Sequence, residues 1–201
     1  MIANNVFAQF SMLMQTRLST PILTTEDSVV FTFCVALLTH ANVQPHEIIL
    51  EYPHPVLPDK EVDAYLPSLS SGPVAIEFKY NRSIPSGRNK PETQEAGKLF
   101  NDIYRLCTFT ASPEPERLLV YCTDQIMAKY FRNPRNGYGS FFDLRVGQTM
   151  EVDKDFVDSK AMTFRREIGG SMSATLGCLW TGNLPEDHYL RILKVVPTNR
   201  K

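Results

Sequence analysis

Asp63, Glu77 and Lys79 are the residues whose types and spacing suggest chemistry. Thirteen residues separate Asp63 from Glu77-Phe78-Lys79, and both segments alternate polar and apolar side chains, as β-strands do. Two carboxylates and an amine are therefore expected to share one edge of two adjacent strands. A charged trio beside a hydrophobic core needs solvent or a compensating cation. A hard divalent metal ion, which prefers oxygen ligands, would supply that charge.

The elements that must position these residues can be predicted from periodicity. A helix begins after the N-cap residue Thr25, with Glu26 and Asp27 in its first turn, and ends near His40. Alternation predicts strands over 62–66 and 73–80, paired as a hairpin, and an apolar run near 48–50 predicts a strand before them. A second amphipathic helix begins at Pro91-Glu92 and continues toward Phe109. A doubly buried strand at 117–122 and a helix at 124–131 follow.

This alternation of strands and helices predicts an α/β fold with a central mixed sheet flanked by helices. The 201 residues, 43% of them hydrophobic, suit a single domain over 1–201. The first 20 residues read as a short helix or an arm, and 81–91 as a mobile loop. Beyond Asn133 glycines interrupt the pattern until a last strand at 189–196.

At these residues the sequence resembles the PD-(D/E)xK nuclease superfamily, whose core runs helix, three antiparallel strands, helix, strand. The resemblance covers roughly 25–131 and implies a restriction endonuclease-like core there, with 132–201 as a C-terminal extension packed on it. Val62 stands where the family has a proline before the first acid. Pro58-Asp59 spells the opening letters of the motif, but Asp59 sits in a proline-rich turn, so Asp63 is the acid assigned.

The resemblance implies a Mg²⁺-dependent nuclease that hydrolyses the phosphodiester bonds of DNA, with Mn²⁺ as a possible substitute. Asp63, Glu77 and the carbonyl of Phe78 would hold the metal, and Lys79 would position or deprotonate the attacking water. Glu51 and Glu26 are candidates for an additional carboxylate, between which the sequence does not choose.

The polar face of the second helix has a role in this resemblance as well. Gln94 and Lys98, four residues apart, share one face. Gln94 is assigned to the catalytic set and Lys98 to nucleic-acid binding. The non-functional interpretation is that both residues lie on the solvated side of an amphipathic helix.

Charge is distributed unevenly along the chain. Residues 41–77 carry six acids and one base, a net of −5, whereas residues 79–105 carry six bases and three acids, a net of +3. An acidic pocket beside a basic segment suits a polyanion cut at a metal centre. The residues expected to contact DNA are Arg82, Arg88, Lys90 and Lys98.

Two further features bear on location. The four cysteines form no CxxC pair and have no zinc-ligand spacing, as expected for reduced thiols in a cytoplasmic protein. The N-terminal residues lack the pattern of a secretory signal, and the longest apolar run, 29–38, is too short for a bilayer span.

Other interpretations stay open at this stage. The same charged trio fits a solvated strand face with a cross-strand ion pair. The chain is then either a catalytically inactive, nuclease-fold protein that binds nucleic acid or serves in assembly, or an unrelated α/β domain. Substrate form, sequence specificity and a possible homodimer are not decided by the sequence.

Overall fold

A seven-stranded mixed sheet runs through the computed structural model, which describes residues 2–83 and 91–198. Its strand order is β1-β2-β3-β4-β7-β6-β5, and the β3/β4 pair is parallel while the other neighbours are antiparallel. The α/β prediction with a mixed central sheet is confirmed. The strands are β1 (Ile49–Pro53), β2 (Glu61–Leu66), β3 (Val74–Asn81), β4 (Glu116–Thr123), β5 (Thr149–Val152), β6 (Ala174–Leu184) and β7 (His188–Pro197).

Helices cover both faces of this sheet. One hydrophobic cluster joins the sheet to α1 and α2, and another joins the opposite face to α3, α4, α5 and α7. The helices are α1 (Asn4–Leu18), α2 (Glu26–His40), α3 (Glu92–Thr108), α4 (Gln125–Arg132), α5 (Gly139–Phe142), α6 (Lys154–Asp158) and α7 (Met162–Glu167). Among the described residues, none of these helices combines the length and apolar character that a bilayer crossing needs.

Strand β3 is covered on both faces, because successive side chains of a strand point to opposite sides. Val74, Ile76 and Phe78 pack in the cluster with α1 and α2, whereas Ala75 packs in the cluster with α3. The alternative interpretation of a solvated strand face is therefore contradicted by the burial of β3. Glu77, on the α3 side of the strand, is fully buried.

Helix α2 begins where the sequence predicts. The Thr25 hydroxyl accepts a hydrogen bond from the Ser28 amide, and the Ser28 hydroxyl accepts one from the Thr25 amide. This reciprocal capping satisfies two amides that the first turn leaves without a helical partner. It also fixes Glu26 as the first residue of the helix, next to the positive end of the helix dipole.

The C-terminal part of the chain continues the same sheet. Strand β7 pairs with β4 and then with β6, which pairs with β5. The last strand predicted from the sequence, 189–196, matches β7, while β5 and β6 were not predicted. Residues 84–90, most of the predicted loop 81–91, lie outside the described residues.

Helices α3 and α7 approach each other closely at Gly97. A Cβ on Gly97 would lie 2.7 Å from the Phe164 carbonyl oxygen and 2.8 Å from the Glu167 Cβ. A backbone carbonyl in a packed helix cannot move aside cheaply, so a larger residue at this position must separate the two helices.

We expect Gly97→Ala to destabilise the protein by about 1–2 kcal/mol, because overpacking outweighs the roughly 1 kcal/mol gain in helix propensity. Gly139→Ala is the matched control, since no atom lies within 4 Å of its added Cβ. Urea unfolding of both variants measures the difference. Equal stability of the two variants would contradict the close approach of α3 and α7.

Candidate functional site

The candidate site lies where β2 and β3 separate. Their pairing runs from Leu66 with Val74 to Ala64 with Ile76 and ends there. One step further along each strand are Asp63 and Glu77, at the point where the pairing stops. Each strand remains paired on its other side, β2 with β1 and β3 with β4. The sheet therefore contains an opening flanked by the two predicted acids.

Two carboxylates satisfy the amides of β3 that β2 no longer reaches. Asp63 Oδ2 accepts a hydrogen bond from the Phe78 amide at 2.6 Å, and Glu26 Oε2 accepts one from the Tyr80 amide at 2.8 Å. Backbone amides in a buried region need such partners. The opening is thus a built feature, because acidic side chains take the place of a neighbouring strand.

Glu77 is held by an arginine from helix α3. Arg105 Nε donates to Glu77 Oε1 at 2.8 Å and Arg105 Nη2 donates to Oε2 at 2.6 Å, so both carboxylate oxygens are engaged. The same Nη2 also lies 3.0 Å from Asp102 Oδ1. Burial, together with the nearby charges of Asp63 and Asp102, raises the pKa of Glu77 well above its ordinary value, although Arg105 opposes this shift.

Helix α3 also contributes an acid to the opening, Asp102. Its side chain is buried, and its Oδ2 has no hydrogen-bond partner within the described residues. Burial raises the pKa of Asp102 to about 7, and the positive charges of Arg105 and Lys79 only partly offset this effect. Asp102 is therefore a buried oxygen donor whose charge is incompletely compensated.

Lys79 forms an ion pair with Glu26, at 3.0 Å from Nζ to Oε2. Burial alone would lower the pKa of Lys79, but the carboxylates of Asp102 and Glu26 outweigh it and hold the pKa above its ordinary value. The amine is therefore protonated at neutral pH. This favours the positioning and charge-stabilising role expected for Lys79 over the role of a base.

The charges at the opening do not balance. Four carboxylates, from Glu26, Asp63, Glu77 and Asp102, lie around two cations, Lys79 and Arg105. With every group ionised the set carries a net charge of −2 by this count. Burial is the main cause of the raised pKa values of Glu77 and Asp102, and the neighbouring carboxylates add to it.

The same group of side chains has some properties of a binding site for a divalent metal ion. Its donors are all carboxylate oxygens, its net charge is negative, and Asp102 Oδ2 is an orphaned buried acceptor. These properties fit a hard cation such as Mg²⁺. The arrangement itself is closed, because Arg105 engages both oxygens of Glu77. Over 2–83 and 91–198, no three His, Cys, Asp or Glu side chains converge as a metal-binding group.

The raised pKa of Asp102 predicts a pH-dependent stability. Between the unfolded value of 3.8 and the folded value of about 7, the folded protein holds the Asp102 proton more tightly. Stability from this group is therefore lost as the pH rises through that window, by up to about 4 kcal/mol. We expect Asp102→Asn to lose less stability than the wild type between pH 4 and 7, as measured by urea unfolding.

The matched control for this experiment is the exposed Asp155→Asn, which should follow the wild-type pH profile. A difference in the free energy of unfolding between Asp102→Asn and wild type that is the same at every pH does not bear on the pKa, because the new amide changes local hydrogen bonding at every pH. Parallel curves for Asp102→Asn and the wild type would contradict the raised pKa.

The other residues predicted for the metal and catalytic set are Glu51 and Gln94, and neither bonds the described acids of the opening. Glu51 is exposed on β1, between the pairs Leu50 with Ala64 and Tyr52 with Val62. That register sets it opposite Asp63, and no hydrogen bond or ion pair joins it to the described site residues. Gln94 donates to Glu167 of α7 at 2.9 Å, away from the acids.

Of the residues predicted to contact DNA, the structure describes Lys98 and Arg82. Lys98 forms an ion pair with Glu95 at 3.0 Å. Glu95 also accepts a hydrogen bond from the side-chain amide Nδ2 of Asn81 at 2.9 Å. Arg82 lines a small cavity at the end of β3. Arg88 and Lys90 lie outside the described residues.

Two residues of the site were missed by the sequence reasoning, Asp102 and Arg105. A signal for them exists in α3, where Glu95, Lys98, Asp102 and Arg105 recur at spacings of three, four and three residues. Such spacing sets charged side chains on one face of a helix. That face borders the apolar stripe, so a buried charged row was inferable once the helix was assigned.

The opening thus combines acids from four elements, α2, β2, β3 and α3, with two cations, and two of these acids, Glu77 and Asp102, are buried. Buried, electrostatically coupled acids of this kind are common at functional sites, although structural ion-pair networks share the property. In comparisons with known proteins, the chain matches no family model, no curated protein and no solved structure.

Proposed function

We propose that this protein is a divalent-metal-dependent nuclease that hydrolyses phosphodiester bonds of DNA. The observation that carries the proposal is the opening between β2 and β3, where Asp63 and Glu26 replace a strand partner and Glu77 and Lys79 line the same stretch of β3. Burial of acids and a protonated amine in such a gap costs desolvation free energy that a fully paired apolar sheet would avoid, which favours a functional role.

The order of elements supports the same proposal. Helix α2, strands β1 to β3, helix α3 and strand β4 follow the order of the PD-(D/E)xK core that the sequence resembles. Strands β1 to β3 are antiparallel and β4 is parallel to β3. The acids of the motif then fall on the second and third strands, as the resemblance implies.

Asp63 and Glu77 would hold the metal ion, with the Phe78 carbonyl and the orphaned Asp102 Oδ2 as further oxygen donors. A bound Mg²⁺ would activate water and stabilise the negative charge that develops on the phosphate. The remaining roles belong to the chain. Lys79, held protonated by its acidic neighbours, would stabilise developing negative charge.

Arg105 neutralises the charge of Glu77 in this structure. It engages both oxygens of Glu77, so a ligand can use Glu77 only after at least one of these hydrogen bonds is released. Asp102 forms an ion pair with the same guanidinium and would retain it nearby. The site is therefore expected to change between an arginine-paired form and a form in which Glu77 is free to ligate.

The direct test is incubation with supercoiled, linear, single-stranded and branched DNA, with Mg²⁺ or Mn²⁺ and with EDTA. Metal-dependent cleavage is expected, and Asp63→Asn should reduce it at least 100-fold, because it removes a charge from the oxygen-donor set. Asp155→Asn is the control. Calorimetric Mn²⁺ titration gives a second readout, in which Asp63→Asn should weaken binding. Absence of cleavage from every substrate with either metal would refute the proposal.

A second candidate is a nuclease-fold protein that binds nucleic acid without cutting it. The observation in its favour is that Glu77 is fully buried and both of its oxygens are taken by Arg105. This candidate predicts DNA binding that is equal in Mn²⁺ and in EDTA, and no metal-dependent product. Gel-shift and cleavage assays on the same samples separate the two functions.

A further inference from the structure

Three arginines lie together two strands away from the β2/β3 opening, beyond β4, and we call them the arginine cluster: Arg132, Arg145 and Arg191. Arg191 and Arg145 line a cavity of about 210 Å³ that also contacts Thr181, Asn183 and Asp143. Arg132 reaches Asp143 from helix α4, at 3.0 Å from Nε to Oδ1. Asp143 therefore forms an ion pair with Arg132 and lines the same cavity as the other two arginines.

Arg191 is the central member of the cluster because it is buried without an acidic partner. It is 7% exposed. Its Nε donates to the Phe142 carbonyl at 3.0 Å and its Nη1 to the Leu190 carbonyl at 2.8 Å. Its Nη2 makes no hydrogen bond to the described part of the chain. A buried guanidinium of this kind is ordinarily paired with an anion.

A second positive charge, that of Arg132, lies close to Arg191. The Arg191 and Arg132 guanidinium groups both contact the Phe142 ring, at 4.8 and 4.9 Å from its centroid. Burial lowers the pKa of Arg191, and the charge of Arg132 lowers it further, while Asp143 opposes the shift. Asp143, the only carboxylate among the described residues that line the cavity, is already bonded to Arg132. The three arginines of the cluster against this one carboxylate leave a net charge of +2.

The register of the sheet separates this cavity from the candidate site. Arg191 pairs with Tyr121, which pairs with Lys79, so two strand spacings of about 10 Å in all lie between Lys79 and Arg191. Phe131 and Phe141 pack over Tyr121 between them. The cavity is therefore distinct from the opening that contains Lys79.

We propose that the cavity lined by Arg145 and Arg191 is a binding site for a phosphate group. Guanidinium forks match the oxygens of phosphate geometrically, and the excess charge of +2 matches a dianion. The Thr181 hydroxyl and the Asn183 amide, which line the same cavity, are additional donors for the remaining oxygens. This inference does not depend on the proposed nuclease activity, because its test needs no metal ion.

The test is calorimetric titration of the full-length protein with inorganic phosphate in EDTA, at constant ionic strength against a chloride control. Wild type and the exposed control Arg166→Gln should bind phosphate. Arg145→Gln should weaken binding about 10-fold or more, since it removes one charge-assisted hydrogen bond. Arg145 is exposed, so this variant should fold normally, and circular dichroism checks that it does.

Arg191→Lys provides an independent variant that keeps the buried charge but removes the fork, and it too should weaken phosphate binding. Competition by oligonucleotides identifies the source of the phosphate. Competition by only a 5′-phosphorylated strand supports a terminal phosphate, competition by both forms supports backbone phosphates, and competition by neither supports a free phosphate. Failure of phosphate to bind, or equal binding by Arg145→Gln and the control, would overturn the proposal.

Discussion

Arg105→Met is expected to lower the free energy of unfolding by about 3–5 kcal/mol at pH 7.5, because it leaves a buried carboxylate without its partner. Glu77 is fully buried and receives two hydrogen bonds from Arg105. No other cation contacts Glu77 within 2–83 and 91–198. Methionine fills a similar volume, so the loss reflects the uncompensated charge more than a cavity.

The destabilisation should shrink at acid pH. The pKa of Glu77 is already raised in the folded protein, and removal of Arg105 raises it further. Between the unfolded value of about 4.3 and this higher folded value, the folded variant binds the Glu77 proton more tightly than the unfolded chain does. Lowering the pH from 7.5 to 5 therefore stabilises Arg105→Met relative to the wild type.

Urea unfolding at the two pH values measures this effect. Lys154→Met removes an exposed ion pair with Asp158 and is the control, with an expected change much smaller than that of Arg105→Met, because solvent screens exposed pairs. The double variant Arg105→Met with Glu77→Gln should recover part of the stability, because it removes the stranded charge. A loss for Arg105→Met that is the same at pH 5 and pH 7.5 would contradict the role assigned to this pair.

Lys79→Met is expected to reduce metal-dependent cleavage by about 10²–10³-fold at saturating DNA, because a single donor to developing charge is typically worth that factor. Lys79 lies on the same strand as Glu77, and its acidic neighbours hold it protonated. DNA affinity should change little, since many phosphate contacts share the binding free energy. The effect is thus expected in kcat and not in KM.

Two variants make this result interpretable. Lys79→Arg keeps the charge and should retain part of the activity, whereas Lys129→Met removes an exposed lysine that bonds only Gln125 and should cut normally. The stability of Lys79→Met is measured in parallel, because Glu26 keeps its hydrogen bond from the Tyr80 amide when Lys79 is lost. Cleavage by Lys79→Met at the wild-type rate would remove Lys79 from the catalytic set.

Strong local patterns were sufficient to predict several elements of the fold. The capping residues before α2, the apolar stripe of α3 and the alternation of β2 are each written within a short stretch of sequence. Strands β5 and β6 lack such a pattern. Gly177 and Gly182 lie within β6, and glycine is unfavourable in strands, so propensity alone argued against the strand that the sheet supports.

The candidate site was predicted less completely than the elements that form it. The types and spacing of Asp63, Glu77 and Lys79 indicated one shared edge, and the structure puts them at the end of the β2/β3 pairing. The sequence also indicated that the charged trio needs either solvent or a compensating cation, and Arg105 is such a cation for Glu77. The identity of that cation was not evident from the sequence, because Arg105 is 28 residues from Glu77 and reaches it only through the packing of α3 on the sheet.

The sequence by itself determined the helices and strands from α2 to α4 and the last strand, and which of their charged residues lie off the apolar faces, since these depend on periods of two or 3.6 residues. The tertiary structure alone decided the partners: Glu26 for Lys79 across 53 residues, and Glu167 for Gln94 across 73 residues. Such pairings depend on which helix covers which face of the sheet. That choice is made by packing of the whole core, and no local pattern records it.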